Sequence, residues 1–171
     1  YEGLSKKLVD SDWKPDFGPA EFNKSVEKSG ATAISARDFL VAYNINLNTT
    51  STRRANAVAF DIREAGRIKR EGDSLSGKIM KDKNENPLKE PGLFKAVKGI
   101  GWYIEEYGVA QISYNLTNIN ISPLHEVFDK TCERSIARGM RVTGSELVGL
   151  VPKKVLIDAG KHFLKKQERS T

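Results

Sequence analysis

The sequence predicts an α+β fold: one four-stranded antiparallel sheet with helices on one face, an irregular N-terminal segment before it and an extra C-terminal helix after it. Three observations predict it. Period-two alternation recurs in three stretches, at Phe39–Leu47, Ala96–Ile104 and Val109–Thr117, and Arg141–Leu150 reads as a fourth strand. Helical spacing fills the intervals between the first and second and between the third and fourth. Only a short turn around Tyr107 and Gly108 separates the second stretch from the third, which is the spacing of an antiparallel hairpin.

Taken in order, Tyr1 to Arg37 reads as irregular, punctuated by Pro15, Gly18, Pro19 and Gly30. It nevertheless carries Trp13, Phe17 and Phe22, rings that favour burial, so the segment is expected to pack against another body. In the first strand Phe39, Val41, Tyr43, Ile45 and Leu47 point one way and Leu40, Ala42, Asn44 and Asn46 the other. Hydroxyls at Thr49 to Thr52 offer N-caps to a helix marked by Ala55, Val58, Ala59 and Ile62, with Gly66 as its stop. Arg67 to Gly92 is polar and glycine-bearing and reads as a long, mobile surface loop. The second strand sets Lys98, Ile100, Trp102 and Ile104 against Val97, Gly99, Gly101 and Tyr103, and the third sets Ala110, Ile112, Tyr114 and Leu116 against Gln111, Ser113, Asn115 and Thr117. Ser122 and Pro123 open a helix with Leu124, Val127, Phe128, Thr131 and Ile136 along one side and Gly139 at its end. Arg141 to Leu150 is the fourth strand, and Pro152 leads into a last helix bearing Val155, Leu156, Ala159, Phe163 and Leu164.

Strand, helix, strand, strand, helix, strand is the order of the split βαββαβ, or ferredoxin-like, arrangement, in which both crossover helices cover one sheet face and leave the other open. The apolar strand sides, including Val41, Tyr43, Ile45, Ile112, Tyr114 and Leu116, are expected to meet the helices, because only they supply a continuous core. The open face is then expected to present Asn44, Asn46, Gln111, Ser113 and Asn115, with Gly99 and Gly101 from the second strand. Glycine inside a strand marks a bulge or the close approach of a ligand or another backbone.

Composition narrows the function. The 171 residues carry 28 Lys plus Arg against 22 Asp plus Glu, a net charge of +6, which favours anionic partners. The basic residues between Arg63 and Lys98 are interleaved with acidic ones, so no stripe forms that would track a phosphate backbone. RNA-binding modules of this topology carry aromatic rings on their central strands. Here those positions read Asn and Gln, with Tyr103 the one ring expected nearby, which argues against nucleic acid. No apolar run reaches the roughly 18 residues of a membrane-spanning helix. The single cysteine, Cys132, excludes an intrachain disulfide and a cysteine metal cluster and fits a cytoplasmic setting. Sequons at Asn48, Asn115 and Asn120 have no secretory signal to act with.

Catalytic chemistry is scarce. His125 and His162 have no Ser, Cys or Asp at a spacing that suggests a triad, and Cys132 on a helix flank reads as a small core residue. Gly99-Ile100-Gly101 lacks the third glycine and following helix of a dinucleotide site. Read from its residues alone, the chain is a binding module for a small polar or anionic ligand or for a second domain.

Four stretches resemble one family: PDFGP at Pro15–Pro19, GATAISARDFLVAYNINL at Gly30–Leu47, KGIGWYIEEYGVAQISYNL at Lys98–Leu116 and GSELVGLVPKKVLIDA at Gly144–Ala159. Together they look like glutamate formimidoyltransferase, the formiminotransferase domain of formiminotransferase-cyclodeaminase, over nearly the whole chain. The resemblance implies the second of two ferredoxin-like subdomains, residues 39–171, preceded by a connecting segment, residues 1–38, that carries a folate-binding loop. It implies transfer of a formimino group from N-formimino-L-glutamate to N5 of tetrahydrofolate in histidine degradation, with tetrahydrofolate as co-substrate and no metal. The family's folate-binding loop carries over to Gly18, Pro19, Ala20, Glu21, Phe22, Asn23, Lys24, Ser25, Val26, Glu27, Lys28, Ser29 and Gly30. Its interval Asn23–Ser29 is longer than the family pattern, and the segment from Arg70 to Pro91 is enlarged. The open face, with Asn44, Asn46, Gly99, Gly101, Gln111, Ser113 and Asn115, would be a wall of the folate tunnel. No residue here matches the family's catalytic histidine, which belongs to the first subdomain, so this chain alone is expected to be inactive. The implied partners are that N-terminal subdomain, (poly)glutamyl tetrahydrofolate and a second copy in a homodimer, with neither nucleic acid nor membrane. The alternative is a non-catalytic module of the same fold that binds RNA or an anionic small ligand.

Overall fold

The computed structural model describes residues 3–72 and 76–170. The chain divides into two compact units, Tyr1–Ala36 and Arg37–Thr171.

The first unit is less irregular than its sequence suggests. It contains a short helix α1 (Leu4–Lys7), a single 3-10 turn at Ser11–Trp13 and a second helix α2 (Lys24–Ser29). Asn23 starts α2: its Oδ1 accepts the backbone N–H groups of Ser25 and Val26, both at 3.0 Å, satisfying two donors that a helix start leaves unpaired. Gly30, at φ 70°, ends it. Leu8 and Val26 are buried, whereas Phe17 is 93% exposed and Trp13 and Phe22 are about half exposed. The unit therefore buries little apolar surface of its own.

The second unit is built on a four-stranded sheet. Its strands are β1 (Val41–Leu47), β4 (Val97–Ile104), β5 (Val109–Leu116) and β6 (Val142–Val148), in the spatial order β4-β5-β1-β6, and every neighbouring pair is antiparallel. Helix α3 (Thr52–Ile62) connects β1 to β4, helix α4 (Leu124–Ala137) connects β5 to β6, and α5 (Lys153–Lys166) follows. This is the expected split βαββαβ topology. Ser51 caps α3, its Oγ accepting the Arg54 N–H, and Gly108, at φ 63°, closes the β4–β5 hairpin.

The core lies between the sheet and α3 and α4. Val41, Tyr43, Ile45 and Leu47 meet Ala110, Ile112, Tyr114 and Leu116 from the strands, and Ala55, Val58, Ala59, Ile62, Leu124 and Val127 from the helices. Paired residues of an antiparallel ladder share a face, so the register Tyr43↔Tyr114 and Ile45↔Ile112 aligns the two apolar stripes. The buried Tyr114 hydroxyl lies 3.1 Å from Thr131 Oγ1, and that hydroxyl donates to the Val127 carbonyl at 2.7 Å. Asp61 is mostly buried between two guanidinium groups, forming a salt bridge with Arg67 and accepting from Arg138 Nη2 at 2.7 Å, which ties the end of α3 to the end of α4.

Four details differ from the sequence reading. The first strand begins at Val41, and Phe39 stands 77% exposed before it. The segment after α3 is a folded arm: β2 (Arg67–Ile68) pairs with β3 (Lys89–Glu90), and bridges join Arg70 to Ile79 and Lys81 to Pro87, so its backbone groups find partners within the arm. Residues 73–75, which the loop expectation also covered, lie outside the described residues. Ser122 makes no cap for α4. It is buried and donates to the Lys95 carbonyl instead, while Ile136, expected on the packed side, is 68% exposed.

Candidate functional site

The face of the sheet opposite α3 and α4 is ordered in rows across the four strands. One row reads Ile100, Ser113, Asn44, Glu146; the next reads Trp102, Gln111, Asn46, Gly144; and a third reads Lys98, Asn115, Ala42, Val148. Asn44, Asn46, Gln111, Ser113 and Asn115 are where their strand phase placed them, on the side away from those helices.

Gly99 and Gly101 are not. Gly99 pairs with Tyr114 and Gly101 with Ile112, so both belong to the helix side. A Cβ on Gly99 would stand 2.7 Å from the Tyr114 ring, and one on Gly101 would stand 2.6 Å from the Asn56 backbone nitrogen. The glycines make room for a buried ring and for helix α3, not for a ligand. Their backbone groups form the outer edge of β4, and α3 and its end cover that edge. Asn56 accepts from the Gly101 N–H at 2.9 Å and donates to its carbonyl at 3.1 Å, Arg63 donates to the Gly99 carbonyl, and the Glu64 N–H donates to the Val97 carbonyl. An edge that could recruit a foreign strand is thereby blocked.

The exchange of faces puts Lys98, Ile100 and Trp102 on the open side. Ile100 is 58% exposed and Trp102 48% exposed, so the face carries an aromatic ring that was expected from Tyr103, which instead pairs with Ala110. The polar side chains between them are joined. Trp102 Nε1 donates to Gln111 Oε1 at 3.0 Å; Gln111 Nε2 donates to Asn46 Oδ1 at 2.7 Å and to Glu146 Oε1 at 2.9 Å; and Asn44 Nδ2 donates to the same Glu146 oxygen at 3.1 Å. Gln111 is fully buried beneath this network. Neither Trp102 nor Glu146 was singled out from the sequence. Pairing Gly99 with the bulky Tyr114 was the signal that would have found the tryptophan.

The interval Gly18–Gly30 stands in the first unit. Gly18 adopts φ 85°, Phe22 is 44% exposed, Asn23 is the helix cap, and Lys24, Ser25, Val26, Glu27, Lys28 and Ser29 form α2 where a continuous loop was expected. Pro19, Ala20 and Glu21 form the bend between them.

A second cluster lies between α4 and α5, away from the open face. His162 Nε2 is 2.7 Å from Asp129 Oδ2, Lys166 donates to Asp129 Oδ1 at 2.8 Å, and the His125 and His162 rings stack with centroids 4.5 Å apart. The two histidines border a cleft of about 420 Å³ that also meets Lys154, Asp158 and Lys161. Thus His162 does have an aspartate partner, 33 positions away and visible only once two helices pack. Burial and then His162 push the His125 imidazole below its ordinary range. Burial, reinforced by Asp129, pushes the Cys132 thiol up, which keeps it protonated and a poor nucleophile. Among the described residues no group of His, Cys, Asp and Glu could hold a metal ion, and no helix is long and apolar enough to cross a membrane.

Comparison with known proteins matches these features to one family. The formiminotransferase domain model fits residues 42–171, which span all four strands of the sheet and its three helices. The chain is 43% identical over 168 residues to formimidoyltransferase-cyclodeaminase of Gallus gallus, covering 98% of this chain and 27% of that protein. It is 34% identical over 164 residues to glutamate formimidoyltransferase of Thermoplasma acidophilum, covering 96% of this chain and 45% of that protein, and 31% identical over 168 residues to the protein of that name from Streptococcus pyogenes, covering 47% of it. The chain therefore spans between about a quarter and a half of the relatives it matches. With the matched region extending over the whole sheet unit, the chain belongs to the formiminotransferase domain family.

Proposed function

We propose that this chain is the folate-positioning half of a glutamate formimidoyltransferase. The longer protein transfers a formimino group from N-formimino-L-glutamate to N5 of tetrahydrofolate, in histidine degradation. The observation that carries the proposal is an open sheet face, in a chain of this family, that combines an exposed indole and isoleucine with a bonded row of amides and a carboxylate. A flat, donor-rich heterocycle needs such a surface, because its faces are apolar and its rim is polar.

In the reaction, the N5 lone pair attacks the formimino carbon, a tetrahedral adduct forms, and the bond from that carbon to the glutamate nitrogen breaks as the nitrogen takes up a proton. Alignment of two bound reactants supplies up to about 7–11 kcal/mol of such a barrier. This chain contributes that alignment through the sheet face and through the Gly18–Gly30 segment with Phe22. Proton transfer belongs to a histidine of the other subdomain. In keeping with this, both histidines of this chain lie in the α4–α5 layer and not on the open face. The protein works as a cytoplasmic homodimer.

The full-length protein should convert N-formimino-L-glutamate and tetrahydrofolate to L-glutamate and 5-formiminotetrahydrofolate. The isolated 171 residues should fold, show no turnover, and regain it when the remaining subdomain is added. Robust turnover from these residues alone, or none from the full-length protein, would overturn the assignment. The exposed Trp102 also favours a second reading, a module that stacks single-stranded RNA bases, although the Glu146 carboxylate on the same face opposes a phosphate backbone. Crosslinking of single-stranded RNA to β4 and β5 would support it.

A further inference from the structure

We infer that Glu146 reads the N–H donor edge of the pterin ring and so fixes which end of folate lies on the open face. The inference rests on the folate reading above and adds the orientation of the ligand.

Glu146 reaches over β1 from the edge strand β6, and its Oε1 accepts from both Asn44 and Gln111, at 3.1 and 2.9 Å. Two donors fill that oxygen, and no described residue donates to Oε2 or forms an ion pair with this carboxylate. Asn44 and Gln111 are themselves buried, so the carboxylate is held in place from below with one oxygen left for a ligand. Gln111 is bonded at its other end to the Trp102 indole, so the free oxygen and the flat ring face belong to one connected unit. A carboxylate oxygen accepts and does not donate. The matching ligand group is a ring edge bearing adjacent N–H donors beside a flat π surface, and the 2-amino-4-oxopyrimidine side of a pterin has this form. The glutamyl end of folate ends in carboxylates, which would meet like charge there. The pterin is thus placed over Trp102 and Glu146, and the tail is directed away from them.

The test uses the full-length protein and calorimetric titration with tetrahydrofolate, 6-methyltetrahydropterin, its analogue lacking the 2-amino group, and p-aminobenzoyl-L-glutamate, which has no pterin. Wild type should bind 6-methyltetrahydropterin at least 10-fold more tightly than the analogue, the scale of one charge-assisted hydrogen bond. Glu146→Gln keeps the shape and an acceptor oxygen for Asn44 and Gln111, and should weaken tetrahydrofolate and 6-methyltetrahydropterin about 10- to 100-fold while leaving p-aminobenzoyl-L-glutamate unchanged. The discrimination by wild type needs no variant and so stands even if Glu146→Gln folds poorly. Tetrahydrofolate binding with equal affinity in wild type and Glu146→Gln, or an equal loss for all four ligands, would overturn the inference while leaving the folate reading intact. Absence of any tetrahydrofolate binding by wild type would overturn both.

Discussion

Replacing Gly101 by alanine separates a glycine that makes room for a helix from one that makes room for a ligand. The added Cβ would meet the Asn56 nitrogen at 2.6 Å, the Ala55 Cβ at 2.7 Å and the Ala55 carbonyl carbon at 2.8 Å. Unstrained contacts between carbons lie near 3.5–4.0 Å, so α3 must lift from β4 by roughly 1 Å at this point. Two of the three atoms are backbone, and no rotamer change relieves them. Overpacking of this kind costs about 1–3 kcal/mol. The lift also stretches the two hydrogen bonds between Asn56 and Gly101, at 2.9 and 3.1 Å, each contributing about 0.5–1.5 kcal/mol. The expected loss is about 2–4 kcal/mol, read as a urea midpoint lowered by roughly 1–2 M. Equilibrium urea unfolding followed by far-ultraviolet circular dichroism measures it. If Gly101→Ala unfolded at the wild-type midpoint and instead weakened tetrahydrofolate binding in the full-length protein, the glycine would face the ligand side, and the placement of β4 against α3 would be wrong.

Two further outcomes are expected. Phe22→Ala in the full-length protein should raise the KM for tetrahydrofolate with the unfolding midpoint unchanged, because this ring is 44% exposed and contributes little burial; equal KM values would remove Phe22 from the folate site. Acidification should destabilise the α4–α5 layer. Burial and the neighbouring His162 hold His125 below its ordinary value, and for Asp129 burial is outweighed by the Lys166 and His162 donors, so its carboxyl is also held low. Both groups, faced by Glu126, Asp158 and Lys166, bind protons more weakly folded than unfolded. Their stability contribution is therefore present above the unfolded values, near 6.5 and 3.9, and is lost as pH falls through the folded ones. Urea unfolding between pH 7 and 5 should show a falling midpoint in wild type and a flatter one in His125→Gln; a steeper fall in the variant would contradict this.

The fold was legible because each element carried its own period. Strict alternation in Val41–Leu47 and Val109–Leu116 fixed the two central strands, and in both the apolar side is the buried side. The hydroxyls at Thr49–Thr52 and the spacing Ala55, Val58, Ala59, Ile62 located α3, whose cap is Ser51 and which ends at Ile62, before the expected stop at Gly66. What the period did not carry is the arm after α3. Its two-residue strands β2 and β3 pair residues more than 20 positions apart, and the bridges between them, Arg70 to Ile79 and Lys81 to Pro87, join residues that show no strand period of their own. The same limit hid the Asp129–His162 contact, which joins two helices that a strand separates in the chain.

The face of β4 was misread for a more specific reason, and it bears on the site. Putting the apolar side of each strand toward the helices assumes that the space above the strand is empty until that strand fills it. Above β4 it is already filled: Tyr114 leans over Gly99 from the neighbouring strand, and Ala55 and Asn56 press on Gly101 from α3. Ile100 and Trp102 are therefore turned to the open face and become surface. Core packing on one side of the sheet thus determines which groups the other side offers a ligand. The same crowding that excludes a Cβ at two positions exposes an indole beside a buried glutamine and a held carboxylate, all on rigid strands. A site assembled this way needs no loop to close before its polar groups are aligned, because their positions are set when the core forms.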